Sequence, residues 1–313
     1  MKRLLLVVTY TLVLLMGSVA MLSLMTLTAR SAYAADTGSA INETRPAKAD
    51  GSIWVDNVAG SVKIRGWDKS EIHVTGTLGA GTKRLDISNE SDGIEIRVVL
   101  PEHTGHDVEG TDLVIDVPRS SRISVNTVSA DIAASTLNGT ALLKSVSGEV
   151  KLDSSDSDIT ASSVSGEVDV HGSAANAHIN AHAISSDVKV SAVDGDLSAE
   201  SISGTVTVLG KNRLTRARLS STSGNVDFNA ELTKGGNYSF NSTSGNVTLA
   251  FPTTPDARFD ISSFSGNIDN SFGPKPQRTS EYGPGTELHF VSGGGNAQVN
   301  ARTLSGNISL RVH

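Results

Sequence analysis

Cysteine is absent from the 313 residues, so neither a disulfide nor a lipid anchor of the bacterial lipoprotein kind is available to this chain. A secreted chain without such cross-links is held by its backbone ladders, which suits a bacterial envelope better than a eukaryotic secretory route. Aromatic residues make up only 4% and tryptophan occurs twice, too few large side chains for a thick globular core. A basic stripe is missing as well. The net charge is −7, and about −10 once Lys2, Arg3 and Arg30 are set aside with the leader. With no cationic surface to neutralise phosphates, nucleic acid is excluded as a partner. No GxSxG elbow, HExxH, P-loop or dinucleotide fingerprint occurs, so the chain reads as a non-enzyme with no catalytic residue and no cofactor.

What the chain does contain is one short phrase repeated: VSAD, VSGEV, VSGEV, ISSDV, ISGTV, TSGNV, TSGNV and FSGNI between Val128 and Asp269, with LSGNI returning at Leu304 to Ile308. The glycines or their replacements are Ala130, Gly148, Gly166, Ser186, Gly204, Gly224, Gly245 and Gly266, in steps of 18, 18, 20, 18, 20, 21 and 21 residues, and Gly306 follows after a gap of 40. Such a period is too long for one hairpin strand and too short for a helix pair. The fold class expected is therefore all-β: a single-stranded parallel β-solenoid, β-helix-like, with two short strands per coil of about 18–21 residues. Disorder would also suit the 30 glycines, but disordered chains have no reason to keep Val, Ile and Leu in register with them.

Within each coil Val146, Val150 and Leu152 lie on one parity and Ile159 and Ala161 on the next piece; Val164, Val168 and Val170 precede Ile179 and Ala181; Ile184, Val188 and Val190 precede Leu197 and Ala199. Two facing sheets with a narrow apolar seam follow, and the eight or so coils stack to roughly 35 to 40 Å at the strand spacing. Phe228, Tyr238, Phe240, Phe251, Phe259 and Phe264 in the later coils widen that seam or close it. Each Ser-Gly pair reads as a corner, where glycine supplies φ > 0 and serine bonds nearby backbone. The structural corners expected are Gly148, Gly166, Gly204, Gly224, Gly245, Gly266 and Gly306.

In chain order, Lys2 and Arg3 precede an apolar run from Leu4 to Leu27, and Ala32-Tyr33-Ala34 offers a cleavage site before Ala35. Residues 1–34 are thus expected to be a signal peptide, or an uncleaved anchor and then the only membrane contact. Residues 35–50 read as a flexible lead-in, 51–127 as a less regular N-terminal β region and cap, and 128–270 as the regular coils. Residues 271–286 form a Pro/Gly-rich loop, and 287–313 the closing β coils. Trp54 and Trp67 are expected to cover the open end of the stack or to serve as a surface contact for carbohydrate.

The residue after each corner glycine makes an outward column: Glu149, Glu167, Asp187, Thr205, Asn225, Asn246, Asn267 and Asn307. Stacked carboxylates repel, so Glu149, Glu167 and Asp187 are either screened by Lys151 and Lys189 or collect a cation such as Ca²⁺. No metal is assigned, because the nonapeptide calcium repeat is absent. Asn225, Asn246 and Asn267 read as a stacked amide ladder and a further surface contact. Asp153, Asp156, Asp158, Glu167 and Asp169 are the acids a polysaccharide-acting enzyme would use. His171, His178 and His182 are the histidines a zinc site would draw on.

The run GSIWVDNVAGSVKIRGW, the LVIDVP segment with ISVNTVSADI, the serial VSGEV-type corners and the terminal LSGNISLRV together resemble the bacterial "putative adhesin" family of β-strand-repeat proteins, domain-of-unknown-function family 4097, from Gly51 to Val312. The resemblance implies an extracytoplasmic or membrane-associated β-solenoid linked to the cell envelope, with stress-responsive operons in some relatives and no catalytic residues to carry over. The chain departs from that pattern at Ala130, Ser186 and the loop Phe272 to Pro284. The expectation is an exported periplasmic or cell-surface scaffold in a bacterium, its partner an envelope protein, a glycan or its own copies. The alternatives are a polysaccharide-acting enzyme and a self-assembling structural protein.

Overall fold

The computed structural model describes residues 31–32, 38–101, 108–155, 157–173, 177–210 and 213–312. The signal segment expected over 1–34 falls outside them except for Ser31–Ala32. The described residues contain no helix, and hence none long and apolar enough to cross a membrane. They form a fifteen-stranded and a thirteen-stranded sheet, both mixed, packed around one apolar seam.

The seam follows from the period-2 pattern of each strand. Through the regular coils successive strands alternate between the sheets, so each coil contributes one strand to each, and like residues stack in register. In the thirteen-stranded sheet Ile132, Val150, Val168, Val188, Val206, Val226, Val247 and Ile308 form one buried column. Facing it in the fifteen-stranded sheet run Leu143, Ala161, Ala181, Ala199, Leu219, Phe240 and Ala301. β-Branched and small side chains fit a pleated surface this closely spaced, and their stacking makes up for the scarcity of large residues. From Arg122–Thr127 to Val226–Asn229 each strand pairs in parallel with the strand two places on, as the repeat predicts.

Both ends depart from the single parallel stack. At the N-terminal end, Ser52–Asn57 pairs in parallel with both Gly93–Val99 and Arg122–Thr127, and Gly60–Trp67 lies between Thr111–Pro118 and Asp131–Leu137. The chain therefore lays one coil, turns back through the antiparallel strands Glu71–Leu78 and Arg84–Glu90, lays a second coil beyond the first, and crosses over to continue. The lead-in expected to be flexible is corrected: Ser39–Pro46 is a strand paired antiparallel with Glu71–Leu78 from Ser39↔Leu78 to Pro46↔Glu71. Ile41 anchors it in the core, and Pro46, at the last position of an outer strand, costs no interior ladder bond.

The C-terminal end reverses the expected order. Ala297–Thr303 and Ile308–Val312 do not follow the coil of Gly266. They insert between Asn237–Ser242 and Ala257–Ser263 in one sheet, and between Val247–Phe251 and Ile268–Asn270 in the other. The last coil is thereby paired on both edges. The outer position of the fifteen-stranded sheet passes to the antiparallel hairpin of Gln277–Arg278 and Thr286–Ser292, whose charged residues Arg278 and Glu287 discourage further pairing. The segment expected as a 271–286 loop thus contains a strand of its own.

Candidate functional site

Each corner reads Ser/Thr-x-Ser-Gly, and its geometry differs from the expectation in one respect. None of the seven corner glycines has a positive φ; among the described residues such values fall elsewhere, as at Gly210 (+90°) and Gly235 (+78°). What the corners require is close stacking. A Cβ on Gly148 would lie 2.1 Å from the Ala130 carbonyl oxygen, and one on Gly166 would lie 2.0 Å from that of Gly148. The serine beside each glycine points outward.

The hydroxyl that holds the corner lies three residues before the glycine. Ser163 Oγ accepts the Gly166 N–H at 2.9 Å and donates to the Gly148 carbonyl of the preceding coil at 3.0 Å. Ser201, Ser221, Ser242, Ser263 and Thr303 repeat the arrangement, each buried. This column was missed, although its signal is plain: a Ser or Thr at Thr127, Ser145, Ser163, Ser201, Ser221, Ser242, Ser263 and Thr303, and Ala183 only where the glycine is replaced by Ser186. Ser221→Ala leaves the Gly224 N–H and the Gly204 carbonyl without their partner and is expected to cost about 1–3 kcal/mol. Ser198→Ala, on the outward face, should stay within about 0.5 kcal/mol. Urea midpoints of the two variants decide between a structural ladder and an incidental hydroxyl.

Between the ladder serine and the corner serine, one side chain per coil points out of the seam, apolar in most coils and Thr222 or Thr243 in two. Val146 is 45% exposed and Phe264 61%, so the expectation that both belong to the core is corrected. Val150 and Leu152, by contrast, are fully buried. The Ser147 N–H donates to the Val128 oxygen and Ser165 N–H to the Val146 oxygen, and this bonding turns the intervening side chain outward.

The column after the glycines is exposed or half-buried, and its side chains are in use. Asn246 N–H donates to Asn225 Oδ1 and Asn307 N–H to Asn246 Oδ1, both at 2.9 Å, and Asn267 N–H to Asn307 Oδ1 at 2.8 Å. The ladder is therefore side-chain carbonyl to backbone rather than amide on amide. Asp187 plays the same part for Thr205 N–H at 2.7 Å. Glu167 is screened by Lys189, whose Nζ lies 2.8 Å from Oε2, and the hydrogen bond holds the ammonium above its ordinary pKa. No group of three or more metal-ligating side chains occurs among the described residues.

The other candidates do not assemble. Asp153 and Asp169 project from the thirteen-stranded sheet, Glu167 sits at a corner, and Asp158 stands just before the strand Ile159–Ser163 of the fifteen-stranded sheet, where it contacts His178 Nδ1 at 3.2 Å. Asp156 lies outside the described residues. His171 bonds Ser191 at 2.9 Å on one sheet, while His178 and His182 lie on the other, His182 3.8 Å from Glu200. Neither tryptophan covers an end. Trp54 stands on an interior rung between Glu95 and Ser124, and Trp67 donates Nε1–H to the Glu71 oxygen at 2.8 Å while stacking on His73. Antiparallel strands occupy the end position the tryptophans were expected to fill.

What remains is a broad patterned face. On the fifteen-stranded sheet Ser124, Leu142, Thr160, Asn180 and Ser198 stand in register, beside Asn126, Lys144, Ser162, His182 and Glu200. A depression of about 320 Å³ crosses this face at Thr140, Leu142, Asp158, Thr160, His178 and Asn180.

A family model described as Toastrack DUF4097 matches residues 51–311. Among solved structures, a "putative adhesin" from Bacteroides fragilis NCTC 9343 is 12% identical over 88% of this chain and 98% of its own, with a TM-score of 0.46. A "putative adhesin" from Parabacteroides distasonis ATCC 8503 is 12% identical over 88% and 98%, with a TM-score of 0.34. A "putative cell adhesion protein" from Clostridium sporogenes ATCC 15579 is 9% identical over 88% and 100%, with a TM-score of 0.25. None of the curated proteins matches the chain.

Proposed function

The chain belongs to the Toastrack DUF4097 family, and from that premise we propose that it is an exported, non-catalytic envelope scaffold that binds an extended glycan. The observation that carries this reading is the outward face of the fifteen-stranded sheet, where hydroxyl, amide and charged side chains recur rung after rung. Adjacent rungs are about 4.8 Å apart, so a polymer with repeating polar groups meets equivalent partners along its length. The parallel coils act as one solenoid that keeps those rungs in line, since irregular loops could not hold the spacing. Export rests on the leader of residues 1–34, and the site of action is periplasmic or cell-surface. An envelope protein bound on the same face is the reading the test must separate from a glycan.

Purified protein should be retained by peptidoglycan or capsular polysaccharide freed of protein. The paired change Thr160→Glu and Asn180→Glu on the face should weaken retention at least about tenfold. Thr207→Glu with Thr248→Glu, on the outward side of the other sheet, should leave it unchanged. Retention only by protein-containing fractions points to the envelope protein instead. Turnover of the polysaccharide by pure protein overturns the non-catalytic reading.

A further inference from the structure

Past Thr222 and Thr243, the outward column ends on two apolar residues in a cleft. Phe264 and Leu304 are 61% and 51% exposed, and they stand on adjacent rungs because Phe264 N–H donates to the Thr303 oxygen at 3.1 Å and Ser265 N–H to that of Leu304 at 3.0 Å. Opposite them rises the segment from Thr279 to Gly285. It is closed on itself by the Thr279 N–H bond to the Gly285 oxygen at 3.0 Å and tied to the sheet through Gln277↔Glu287 and Arg278↔Thr286. Gly285 makes that closure feasible, since a Cβ there would lie 2.4 Å from Thr279 Oγ1. Between wall and floor is a cavity of about 370 Å³, lined also by Asn241, Ser262 and Arg302.

The electrostatics of the cleft are one-sided. Arg302 stands between Asn241 and Ser262 on the neighbouring strands, both neutral, and its guanidinium forms no ion pair among the described residues. Elsewhere on this sheet Arg97, Arg122, Arg213 and Arg216 each meet a carboxylate, whereas Arg218 and Arg258, like Arg302, meet none among the described residues; what sets Arg302 apart is the apolar cleft beside it. Glu287, a rung beyond Ser262, lies 3.6 Å from His289 Nε2. An exposed phenyl ring and a leucine thus lie in one cleft with a cation that forms no ion pair among the described residues. The volume is near the lower limit of small-molecule pockets, about 300 to 1,000 Å³, which fits one chain of a small ligand rather than a protein surface.

We propose that this cleft binds an anionic amphiphile: a single carboxylate or phosphate head on a short apolar chain, the head on Arg302 and the chain along Phe264 and Leu304. A guanidinium offers either head a forked, charge-assisted pair, and the hydroxyls of Ser262 and Thr279 and the Asn241 amide provide further hydrogen-bonding groups on the rim. The apolar floor accounts for the chain. The site lies farther along the same outward sheet face, Arg302 continuing through Asn241 and Ser220 the column that holds Glu200, and its lining excludes Thr160 and Asn180, so the two proposals are tested by different variants.

The test is calorimetric titration of the purified protein, below micelle-forming concentrations, with decanoate, decyl phosphate and decanol. Decanoate or decyl phosphate should bind saturably, one per chain, at least about tenfold more tightly than decanol. Whichever anion binds more tightly identifies the head, free fatty acid or lipid phosphate. Arg302→Gln should abolish the preference for the anion, and Phe264→Ser should weaken all three ligands. Both side chains are exposed, so unchanged thermal melting verifies that the variants fold. Equal binding of the anions and the alcohol, an unaltered preference in Arg302→Gln, or no saturable binding overturns the proposal.

Discussion

Gly224→Ala should destabilise the protein by about 2 kcal/mol or more, and Gly224→Val by more again, even though the backbone there suits any residue. The cause is the carbonyl one coil away. A Cβ on Gly224 would lie 2.0 Å from the Gly204 oxygen and 2.4 Å from its carbonyl carbon, and 3.0 Å from Ser221 Oγ. To admit it, two coils must separate, and the ladder bonds from Ser221 Oγ to the Gly204 oxygen and from Gly224 N–H to Ser221 Oγ stretch with them. Gly235→Ala provides the contrast. Its φ of +78° penalises a side chain, but nothing lies within 4 Å of the added carbon, so only the backbone cost of about 1 kcal/mol remains. Urea unfolding of the two alanine variants separates the mechanisms: a loss at Gly224 no larger than that at Gly235 would mean that the coils part without cost and that stacking does not select the corner glycines. Because neighbouring coils share each corner, hydrogen exchange around Gly204 and Gly245 should rise in Gly224→Ala and stay unchanged in Gly235→Ala.

That contrast also marks how far the sequence could be read. The repeat exposed the coil, the two strands within it and the corner position, because these depend on the spacing of glycine and valine along the chain. It did not expose the reason for the glycine, since a close approach to Gly204 from Gly224 is a contact between residues 20 apart that no local pattern reports. The order of the coils was likewise invisible at both ends. The step of 40 from Gly266 to Gly306 reads equally well as two further coils or as an insertion, and only pairing shows that Gly306 stacks on Gly245 with Gly266 stacked on Gly306. Ser39–Pro46 was obscured by its polar outward residues and its proline, both ordinary on an outer strand. For the candidate site, the outward column was legible from parity, whereas the cleft at Arg302 was not. It brings together Asn241, Phe264, Thr279 and Arg302 from four separate segments.

Phe228→Ala should cost about 3–5 kcal/mol, the other large effect expected of a single change. Phe228 stands in the column of Val190, Val208 and Leu249, yet it alone places a ring there. Its centroid is 5.1 Å from Phe240, 5.9 Å from Tyr238 and 6.4 Å from Phe251, so it joins the two sheets where the aromatic rungs begin. Tyr238 depends on that packing for more than area. Its buried hydroxyl donates to the Leu214 oxygen and accepts the Thr233 N–H, both at 2.7 Å, and burial raises the phenol pKa. A void at Phe228 would loosen the ring that holds both backbone groups. Phe228→Val, which matches Val208 one rung earlier, should still cost about 2–4 kcal/mol, because the facing column has reached Phe240, after Leu219 one rung earlier and Ala199 and Ala181 before that. Exchanging the two residues, Val208→Phe with Phe228→Val, should therefore fail to restore stability: one rung is overfilled while the other stays empty. Differential unfolding reports this directly, and recovery of the wild-type midpoint in the exchanged protein would show that the seam has one width throughout.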